Sequence, residues 1–591
     1  MLPADTVRVR PQPGRVFWSR KVDGTTLQAR MVERLTAEPD AQCLGVVDAH
    51  GRVSWRSRRD VYGRACTWAR GLADRGVRPG DVCVLVLPGG EPAALPLLGV
   101  LLAGAVPLLV APPTLQGRHS SLSLILSRTL RTTRARLVLL GDGLDALGAS
   151  LARRSASLAV AYRRDLEQQI KSSTPASPVP PVNSVAAMQL TSGTTGFPRI
   201  CTWSHRAVLA ALRGMSEAMA LSQRDVCLNW TPLYHDMGLV NNFLLCLEVG
   251  VPLAMLAPTD FVKRPALWLQ GLAATAASVT WSPNFGFALA AQRAQDADLR
   301  GVRLDHVRAF WNAAERIHFA TMQAFLRRFE HIGVRPESLK TNFGCAENVG
   351  GATFSDPAGP CVVEYVDEAM LQTRGIAVQV PRTATDTRAV PIVGVGRPAP
   401  GIKLRIIGRG GTALPDGHVG EVALRTPSKM SGYLGRKRET GRAIDGTLLR
   451  TGDLGYLRKG ELFWVGRLRE RITLRGRKID PSDFERVLLN IAGLRTGCFA
   501  AFGVDDPQRG TERLVIVAEL RADAERAPSE VILDIRAAVE EQLGLAVDEV
   551  LLVPGGTLAK TSSGKRRHRH VRQSYLKGTL GAFSLTDRSQ K

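Results

Sequence analysis

The chain has 591 residues, 45% hydrophobic and 22% charged, which is the composition of a globular protein too long for one hydrophobic core. Its 78 Lys and Arg residues outnumber the 54 Asp and Glu residues, and the net charge of +24 favours acidic partners such as nucleotides, nucleic acid, anionic lipid or an acidic protein. Because the basic residues are scattered, apart from the run 565–570, a basic solvated surface without such a partner is the alternative.

The cysteines and the longest apolar stretch bear on location. The nine cysteines are widely separated and form no CxxC pair, so their spacing predicts neither zinc nor redox chemistry, and we expect reduced thiols in the cytoplasm. The stretch 93–111 contains two prolines and two glycines and divides better into a helix and a strand than into a transmembrane segment. The first 20 residues are basic without an apolar core, so we predict no signal peptide.

The first clear elements form a βαβ unit. Strands are predicted at 82–88 and 106–111 with a helix at 92–103 between them, which implies a parallel pair with a right-handed crossover. A Pro/Ser-rich stretch, 172–184, reads as a loop or linker inside the same body. Further strands, each followed by a helical pattern, are predicted at 186–190, 226–230, 251–256, 278–281 and 307–311. This rhythm predicts a large doubly wound α/β body.

The pattern changes after Gly394. Short strands with Pro/Gly punctuation at 401–417 predict a small β subdomain. Beyond Gly466 the chain predicts a compact α+β unit. Its elements are a strand at 471–474, a helix from Pro481, a strand at 514–519 and a helix at 528–543.

A loop rich in hydroxyls and glycines lies between the predicted strand 186–190 and a helical pattern that begins at His205. We predict a strand-to-helix loop that binds phosphate, since glycines let backbone N–H groups approach and small hydroxyls donate hydrogen bonds. An ordinary Ser/Thr/Gly turn has the same composition and is the alternative. The residues of the loop are Thr191, Ser192, Gly193, Thr194, Thr195 and Gly196.

Several short motifs follow this loop in a fixed order. They are YHDMGL at 234–239, NFGCAE at 342–347, TGD at 451–453, GR at 466–467 and SSGK at 562–565. Each is weak alone, but their order and spacing resemble those of the adenylate-forming (ANL) superfamily of acyl-CoA synthetases, luciferases and peptide-synthetase adenylation domains. The resemblance covers roughly residues 26–572.

Within the superfamily the chain most resembles fatty acyl-AMP ligases. WTPLYHDMGLVNN at 230–242, SPNF at 282–285 and an Ala before Glu347 match their pattern. The long segment between Phe354 and Val393 resembles the insertion that distinguishes acyl-AMP ligases from acyl-CoA synthetases. In that family the insertion is thought to hinder the domain rotation needed for transfer to CoA.

The resemblance implies a fold and an activity. The expected fold class is α/β: a large doubly wound N-terminal domain, 1–467, with two α/β subdomains and a small β subdomain, and a small mobile α+β C-terminal domain, 468–591. The expected reaction is the ATP-dependent activation of a carboxylic acid, with a fatty acid as the expected substrate, to acyl-AMP and pyrophosphate. The expected cofactors are ATP and Mg²⁺. Transfer to the phosphopantetheine thiol of an acyl-carrier protein is expected to follow. Such carriers are commonly acidic, and a basic chain suits them.

The resemblance also assigns the residues around the reacting groups. The loop 191–196 is expected to hold the β- and γ-phosphates, and Arg199 stands where the family usually has Lys. Glu347 matches the magnesium-binding acid, which suits a hard cation. His235 is expected to border the acyl carboxylate, and Lys565 matches the lysine that reaches the carboxylate and α-phosphate.

A second set of residues is expected to bind the nucleoside. Phe343 replaces the usual Tyr that stacks on adenine, and Asp453 matches the acid that binds the ribose hydroxyls with the help of Arg467. Ala313 stands where Gly is common. The full expected set is Asn312, Ala313, Ala314, Asn342, Phe343, Gly344, Asp453 and Arg467.

Three other functions remain open at this point. The first is a CoA ligase acting on an acyl, aryl or amino acid. The second is a degenerate nucleotide-binding homologue without turnover, because Arg199, Phe343 and Ala313 depart from the family pattern. Glu470 stands at the hinge position of the resemblance, where the family usually has Asp. The third, nucleic-acid binding, is supported by charge alone, without a recognisable binding motif. Four of the site residues also have an alternative without function. His235 would be a structural histidine and Lys565 a solvated lysine, and the two acids, Glu347 and Asp453, would be surface residues.

Overall fold

The computed structural model describes most of the chain. The described residues are 25–112, 119–154, 158–168, 183–191, 198–381, 389–468, 470–474, 477–489, 491–506, 511–523, 526–558 and 567–580. Among them, none of the helices combines the length and the apolar character that a membrane crossing requires.

The large N-terminal body is an alternation of strands and helices. In chain order its strands are β1 (Gln42–Val47), β2 (Val53–Ser57), β3 (Val82–Val86), β4 (Val106–Leu109), β5 (Leu137–Leu140), β6 (Ala159–Tyr162), β7 (Val185–Thr191), β8 (Arg199–Ser204), β9 (Cys227–Asn229), β10 (Leu253–Leu256), β11 (Val279–Ser282), β12 (Ala309–Asn312), β13 (Leu339–Cys345), β14 (Gly350–Phe354), β15 (Val363–Asp367), β16 (Ala389–Val393) and β17 (Arg397–Pro398). Its helices are α1 (Leu27–Ala37), α2 (Arg58–Asp74), α3 (Glu91–Leu102), α4 (His119–Thr133), α5 (Asp145–Arg154), α6 (Arg163–Gln168), α7 (His205–Ala218), α8 (Leu245–Val249), α9 (Pro258–Lys263), α10 (Ala266–Thr275), α11 (Asn284–Arg293), α12 (Phe319–Phe329) and α13 (Glu368–Arg374).

Two sheets form the framework of this body. One has the strand order β17-β14-β13-β12-β11-β9-β10-β1-β2, with the run from β13 to β1 parallel. The other has the order β20-β8-β7-β4-β3-β5-β6, in which β7, β4, β3, β5 and β6 are parallel and β20 (Gly432–Tyr433) is an antiparallel edge strand. The doubly wound α/β prediction is confirmed, and so is the parallel β3–α3–β4 unit.

Helix α3 shows why the sequence folds this way. Apolar residues surround it on all sides, and it is buried among the other elements, as such a helix must be. It packs closely on α2 at Gly99, where an added Cβ would lie 2.2 Å from the Cβ of Trp68. The close approach therefore requires glycine.

The loop after β7 differs from its prediction. Strand β8 follows it and pairs antiparallel with β7, so residues 192–197 connect two strands of a hairpin rather than a strand and a helix. The prediction was wrong because β8 runs directly into α7 at His205, with Ser204 as the N-cap whose side chain accepts a hydrogen bond from Ala207 N. Residues 192–197 themselves lie outside the described residues.

The small β subdomain is confirmed. Its strands are β18 (Lys403–Ile407), β19 (Gly420–Arg425), β21 (Ile444–Asp445), β22 (Leu448–Arg458) and β23 (Glu461–Arg467), and the helix α14 (Lys437–Ala443) packs beside them. Strands β22 and β23 form an antiparallel pair in which Asp453 is opposite Arg467. This register brings two of the predicted site residues together.

The C-terminal unit is α+β as predicted. Its elements are β24 (Ile472–Leu474), β25 (Arg477–Ile479), α15 (Asp483–Leu488), β26 (Leu494–Asp506), β27 (Thr511–Leu520), α16 (Pro528–Leu543), β28 (Glu549–Val553) and α17 (His568–Leu576). Helices α15 and α16 and the five strands enclose a hydrophobic cluster that is separate from the clusters of the large body. A large N-terminal domain and a smaller C-terminal domain follow, and the boundary at 467/468 stays a prediction.

Candidate active site

A cavity of about 780 Å³ lies beside the carboxyl ends of β7 and β13 and the strand pair β22–β23. It is lined by predicted site residues from five separate parts of the chain, so the fold brings together residues that are far apart in sequence. The predicted residues in its wall are Thr191, Arg199, His235, Ala314, Gly344, Glu347, Asp453 and Arg467.

A second cavity, of about 330 Å³, adjoins the first. Asn342 and Phe343 line it, and Ala314, Gly344, Asp453 and Arg467 belong to both walls. Asn312 and Ala313 are buried and line neither cavity. The remaining predicted residues, Ser192, Gly193, Thr194, Thr195, Gly196 and Lys565, lie outside the described residues.

Glu347 is held by two side chains from the neighbouring sheet. Tyr433 donates a hydrogen bond from its hydroxyl to Glu347 Oε1 at 2.6 Å, and Arg199 Nη2 donates to the same oxygen at 3.4 Å. The guanidinium carbon of Arg199 lies 4.2 Å from the centroid of the Tyr433 ring, a cation–π contact. Burial, and then the charge of Glu347, raise the pKa of Tyr433 far above its usual value, so the hydroxyl stays a donor.

Sequence reasoning missed Tyr433. The residue reaches the site because β20 pairs with β8, which places Tyr433 opposite Cys201 and within reach of Arg199. The only signal in the sequence was an aromatic residue after a glycine in a turn-rich region, which predicts no chemistry by itself.

The Glu347 carboxylate fits a magnesium site. Mg²⁺ is usually bound in proteins by one or two carboxylates, with phosphate and water oxygens completing its shell. Across the described ranges no group of three or more His, Cys, Asp or Glu residues converges to hold a metal alone. A single carboxylate beside an open cavity is compatible with an ion that takes its other ligands from phosphate and water.

His235 stands at a turn that is fixed by close packing. Its Nδ1 lies 2.8 Å from Asp236 Oδ1, and Gln189 Nε2 donates to the backbone oxygen of Tyr234 at 2.7 Å. The turn leads into a π-helical segment, Met237–Leu244. An added Cβ on Gly238 would lie 2.3 Å from a backbone oxygen, so only glycine allows the turn to pack here.

The buried Asp453 pairs with the half-buried Arg467. Arg467 Nε lies 3.3 Å from Asp453 Oδ1, and Trp464 Nε1 donates to the same oxygen at 3.2 Å. Although burial lowers the pKa of Arg467, the carboxylates of Asp453, Glu470 and Glu347 outweigh it and raise the pKa above its usual value. The pair thus presents a fixed carboxylate beside a permanent cation.

The second cavity suits a purine. The Oδ1 atom of Asn342 is buried and has no hydrogen-bond partner in the described part of the chain, and such an acceptor is normally satisfied. An amino group on a ligand would satisfy it, and the buried ring of Phe343 offers a stacking face beside it. Ala314, in the wall of both cavities, has φ of +75°, a conformation that costs energy for a residue with a Cβ and that clusters at functional sites.

Comparisons with known proteins agree with this arrangement. Residues 32–434 match the AMP-binding enzyme family. The chain is 30% identical to a long-chain-fatty-acid–AMP ligase of Mycobacterium marinum over 91% of this chain and 94% of that one. It is 31% identical to a medium-chain-fatty-acid–[acyl-carrier-protein] ligase of Moorena producens over 68% of this chain and 70% of that one.

A solved structure from a study of fatty acyl-adenylate ligases of E. coli and L. pneumophila superimposes with a TM-score of 0.86. It is 27% identical, and the match covers 94% of this chain and 98% of that one. Fold, gathered motifs and sequence identity lead to one conclusion: the protein belongs to the AMP-binding enzyme family of the adenylate-forming (ANL) superfamily.

Proposed function

We propose that the protein activates a fatty acid to acyl-AMP and then transfers the acyl group to the phosphopantetheine thiol of an acyl-carrier protein. Family membership supports adenylate-forming activation of a fatty acid. The observation that carries the assignment to this site is the convergence of Arg199, His235, Glu347, Asp453 and Arg467 on one cavity.

The reaction joins two anions, so the site must offset charge and align the reactants. A carboxylate oxygen of the acid attacks the α-phosphorus of ATP, the bond to the β-phosphate oxygen breaks, and pyrophosphate leaves. In the proposed roles, Arg199 binds the departing phosphates and His235 borders the carboxylate. Lys565, assigned from the family motif, serves the α-phosphate in the transition state.

The other residues hold the nucleotide in place. We assign Asp453, supported by Arg467, to the ribose hydroxyls, and Asn342 and Phe343 to the adenine. Glu347 would hold Mg²⁺, which when bound supplies positive charge beside the phosphates. Tyr433 fixes the Glu347 carboxylate by its hydrogen bond, so the metal ligand is oriented before the nucleotide arrives.

The insertion between Phe354 and Val393 supports a carrier protein, and not CoA, as the thiol acceptor. Its helix α13 meets the C-terminal unit: Arg477 donates from Nε and Nη2 to Gln372 Oε1 at 3.0 and 2.6 Å. The same Nη2 donates to the backbone oxygen of Leu543 at 2.9 Å. Contacts made in only one orientation of the two domains bias the equilibrium between orientations, and this bias would disfavour transfer to CoA.

Two further observations favour a carrier protein. The net charge of +24 suits an acidic partner, and one relative, from Moorena producens, is named for transfer to an acyl-carrier protein. We place the reaction in the cytoplasm, because a spacing of cysteines without paired motifs suits a reducing compartment.

An acceptor competition tests the proposal. The purified protein is given ATP, Mg²⁺, a panel of fatty acids of graded length, and either CoA or an acidic carrier protein bearing phosphopantetheine. We expect the acylated carrier as the main thioester and little acyl-CoA. Efficient acyl-CoA synthesis would replace the carrier proposal by a CoA-ligase function, whereas pyrophosphate release with neither acceptor loaded would leave only the adenylation step.

A further inference from the structure

A third cavity, of about 460 Å³, lies between the large body and the C-terminal unit. Arg442 and Glu470 line both this cavity and the active-site cavity, so the two adjoin. Arginines from both sides enter its wall: Arg442 on α14, Arg471 beside β24, and Arg569 and Arg572 on α17. We call it the arginine cavity.

The positive charge of these arginines is poorly compensated. Within the ranges that the structure describes, Arg442, Arg471 and Arg569 make no side-chain hydrogen bond or ion pair. Burial lowers the pKa of Arg471 by more than the nearby charges of Asp480 and Asp483 raise it. Arg572 donates from Nε to the backbone oxygen of Gly503 at 2.7 Å, a neutral acceptor. Arg442 is exposed, whereas Arg471, Arg569 and Arg572 are half-buried. Half-buried cations without anionic partners are costly, and a bound anion would remove that cost.

Two carboxylates share the wall and leave a net positive charge. Glu512 is already engaged, because its Oε2 accepts a hydrogen bond from Thr473 N at 2.5 Å. The space beside it is kept open by Gly503, where an added Cβ would lie 2.4 Å from Glu512 Oε2. With Glu470 as the second acid, four guanidinium groups face two carboxylates.

We propose that the arginine cavity binds the pyrophosphate that leaves ATP, and that it receives this product from the active site on its way out between the two domains. The inference deepens the proposed function and rests on it. Several guanidinium groups around one space suit a small anion with several charges, since each can donate paired hydrogen bonds to phosphate oxygens. The shared wall at Arg442 and Glu470 gives the product a path that needs no passage through the nucleoside cavity.

The test uses a residue that lines the arginine cavity and not the active-site cavity. Arg569→Gln removes one guanidinium, and Arg569→Lys keeps the charge without the paired donors. Lys577→Gln is the matched control, because Lys577 is an exposed cation just beyond the same helix and outside the wall. Thermal unfolding of each variant verifies that the fold is retained.

Binding is measured by calorimetry on the full chain with saturating α,β-methylene-ATP, which occupies the catalytic phosphate positions. Pyrophosphate is then the titrant. We expect a further pyrophosphate site in the unmodified protein and in Lys577→Gln, and roughly tenfold weaker binding in Arg569→Gln, the loss expected for one charge-assisted hydrogen bond. Arg569→Lys should weaken binding less than Arg569→Gln does.

Equal pyrophosphate affinity in folded Arg569→Gln and the unmodified protein would overturn the inference. If Arg569→Gln then also binds CoA or phosphopantetheine more weakly, the cavity is assigned to the phosphate of the thiol acceptor. Failure of the protein to bind α,β-methylene-ATP would instead count against the proposed function, and titration of pyrophosphate into the nucleotide-free protein would still decide the role of Arg569.

Discussion

Two groups of the same three residue types stand in different surroundings. In the active-site cavity, Glu347 accepts hydrogen bonds from Tyr433 and Arg199. At the insertion, Glu364 accepts from the Tyr456 hydroxyl at 3.1 Å and from Arg458 Nε at 2.9 Å. In both, the guanidinium lies over the tyrosine ring, at 4.2 Å and 5.8 Å from the centroid.

The two groups differ in how many of their hydrogen-bond partners the protein itself supplies. Glu364 also accepts from Gln379 Nε2 at 3.0 Å, and Arg458 donates to the backbone oxygen of Ala377, so the second group is saturated by the protein. The hydrogen bond from Arg199 to Glu347 is long, at 3.4 Å, and Arg199 lines an open cavity. The same residue types thus stabilise packing where they are fully paired and are available to a ligand where they border a cavity.

Replacing the two carboxylates should separate these roles most strongly. We expect Glu347→Gln to lower the rate of adenylate formation by roughly hundredfold and to raise the Mg²⁺ concentration needed, because an amide is a poor ligand for a hard dication. Glu364→Gln should instead lower the free energy of unfolding by about 1–3 kcal/mol, since Arg458 loses its charged partner. Pyrophosphate release against Mg²⁺ concentration, with urea unfolding, measures both. An unchanged Mg²⁺ dependence in Glu347→Gln would remove this residue from the metal site.

The two tyrosines sharpen the same comparison with a smaller change. Tyr433→Phe keeps the ring under Arg199 and removes the hydroxyl that orients Glu347, so we expect adenylation to fall by about tenfold and to recover partly at high Mg²⁺. The control is Tyr456→Phe, which removes the equivalent hydroxyl outside the cavity and should leave adenylation kinetics unchanged. Equal kinetic effects in both variants would indicate a general loss of packing instead of a role at the site.

The insertion that carries Glu364 also contacts the C-terminal unit through Gln372, which in addition donates from Nε2 to Glu368 Oε1 within α13. Gln372→Ala removes the acceptor of Arg477, and we expect a rise of roughly threefold in acyl-CoA formed relative to adenylate, as one net hydrogen bond shifts the domain equilibrium. Thr373→Ala, at an exposed neighbour on the same helix, is the control. A ratio of CoA product to adenylate that stays constant in Gln372→Ala would show that this contact has no part in acceptor choice.

The smallest expected effect concerns the pH dependence of stability at Asp480 in the C-terminal unit. Burial, and then the nearby charge of Asp483, raise the pKa of Asp480 to about 6. The folded state therefore binds more protons than the unfolded state between roughly pH 4 and pH 6, and this residue's contribution to stability is lost as pH rises through that window. Asp480→Asn should flatten that part of the pH profile of unfolding, measured in urea. A profile as steep as that of the unmodified protein would assign the slope to other groups.

Much of the fold could be predicted because local signals agree with the final structure. Helix α16 matches its predicted bounds, since Pro528 stands at its first position and Gly544 ends it with φ of +61°. The short strand β8 was missed because it continues into α7 without a turn residue between them. The motif residues were found because their spacing is shared across a superfamily, and most of those that the structure describes line the two adjoining cavities.

The contacts that give the site its character could not be predicted. Tyr433 and Glu347 are far apart in sequence and meet only through the pairing of β20 with β8 and the placement of β13. The NFGCAE motif assigns Glu347 to the site, but it does not show that Tyr433 and Arg199 contact this carboxylate. Nor does the sequence show that Glu364 is fully paired within the protein.

The most direct test of the account is acid-dependent exchange of labelled pyrophosphate into ATP, which reports reversible adenylate formation without any thiol acceptor. With a panel of fatty acids and Mg²⁺, we predict exchange that requires the acid and needs neither CoA nor a carrier protein. Glu364→Gln should retain this exchange and Glu347→Gln should lose most of it. Absence of acid-dependent exchange in the unmodified protein, with ATP binding intact, would contradict the account and favour a nucleotide-binding homologue without turnover.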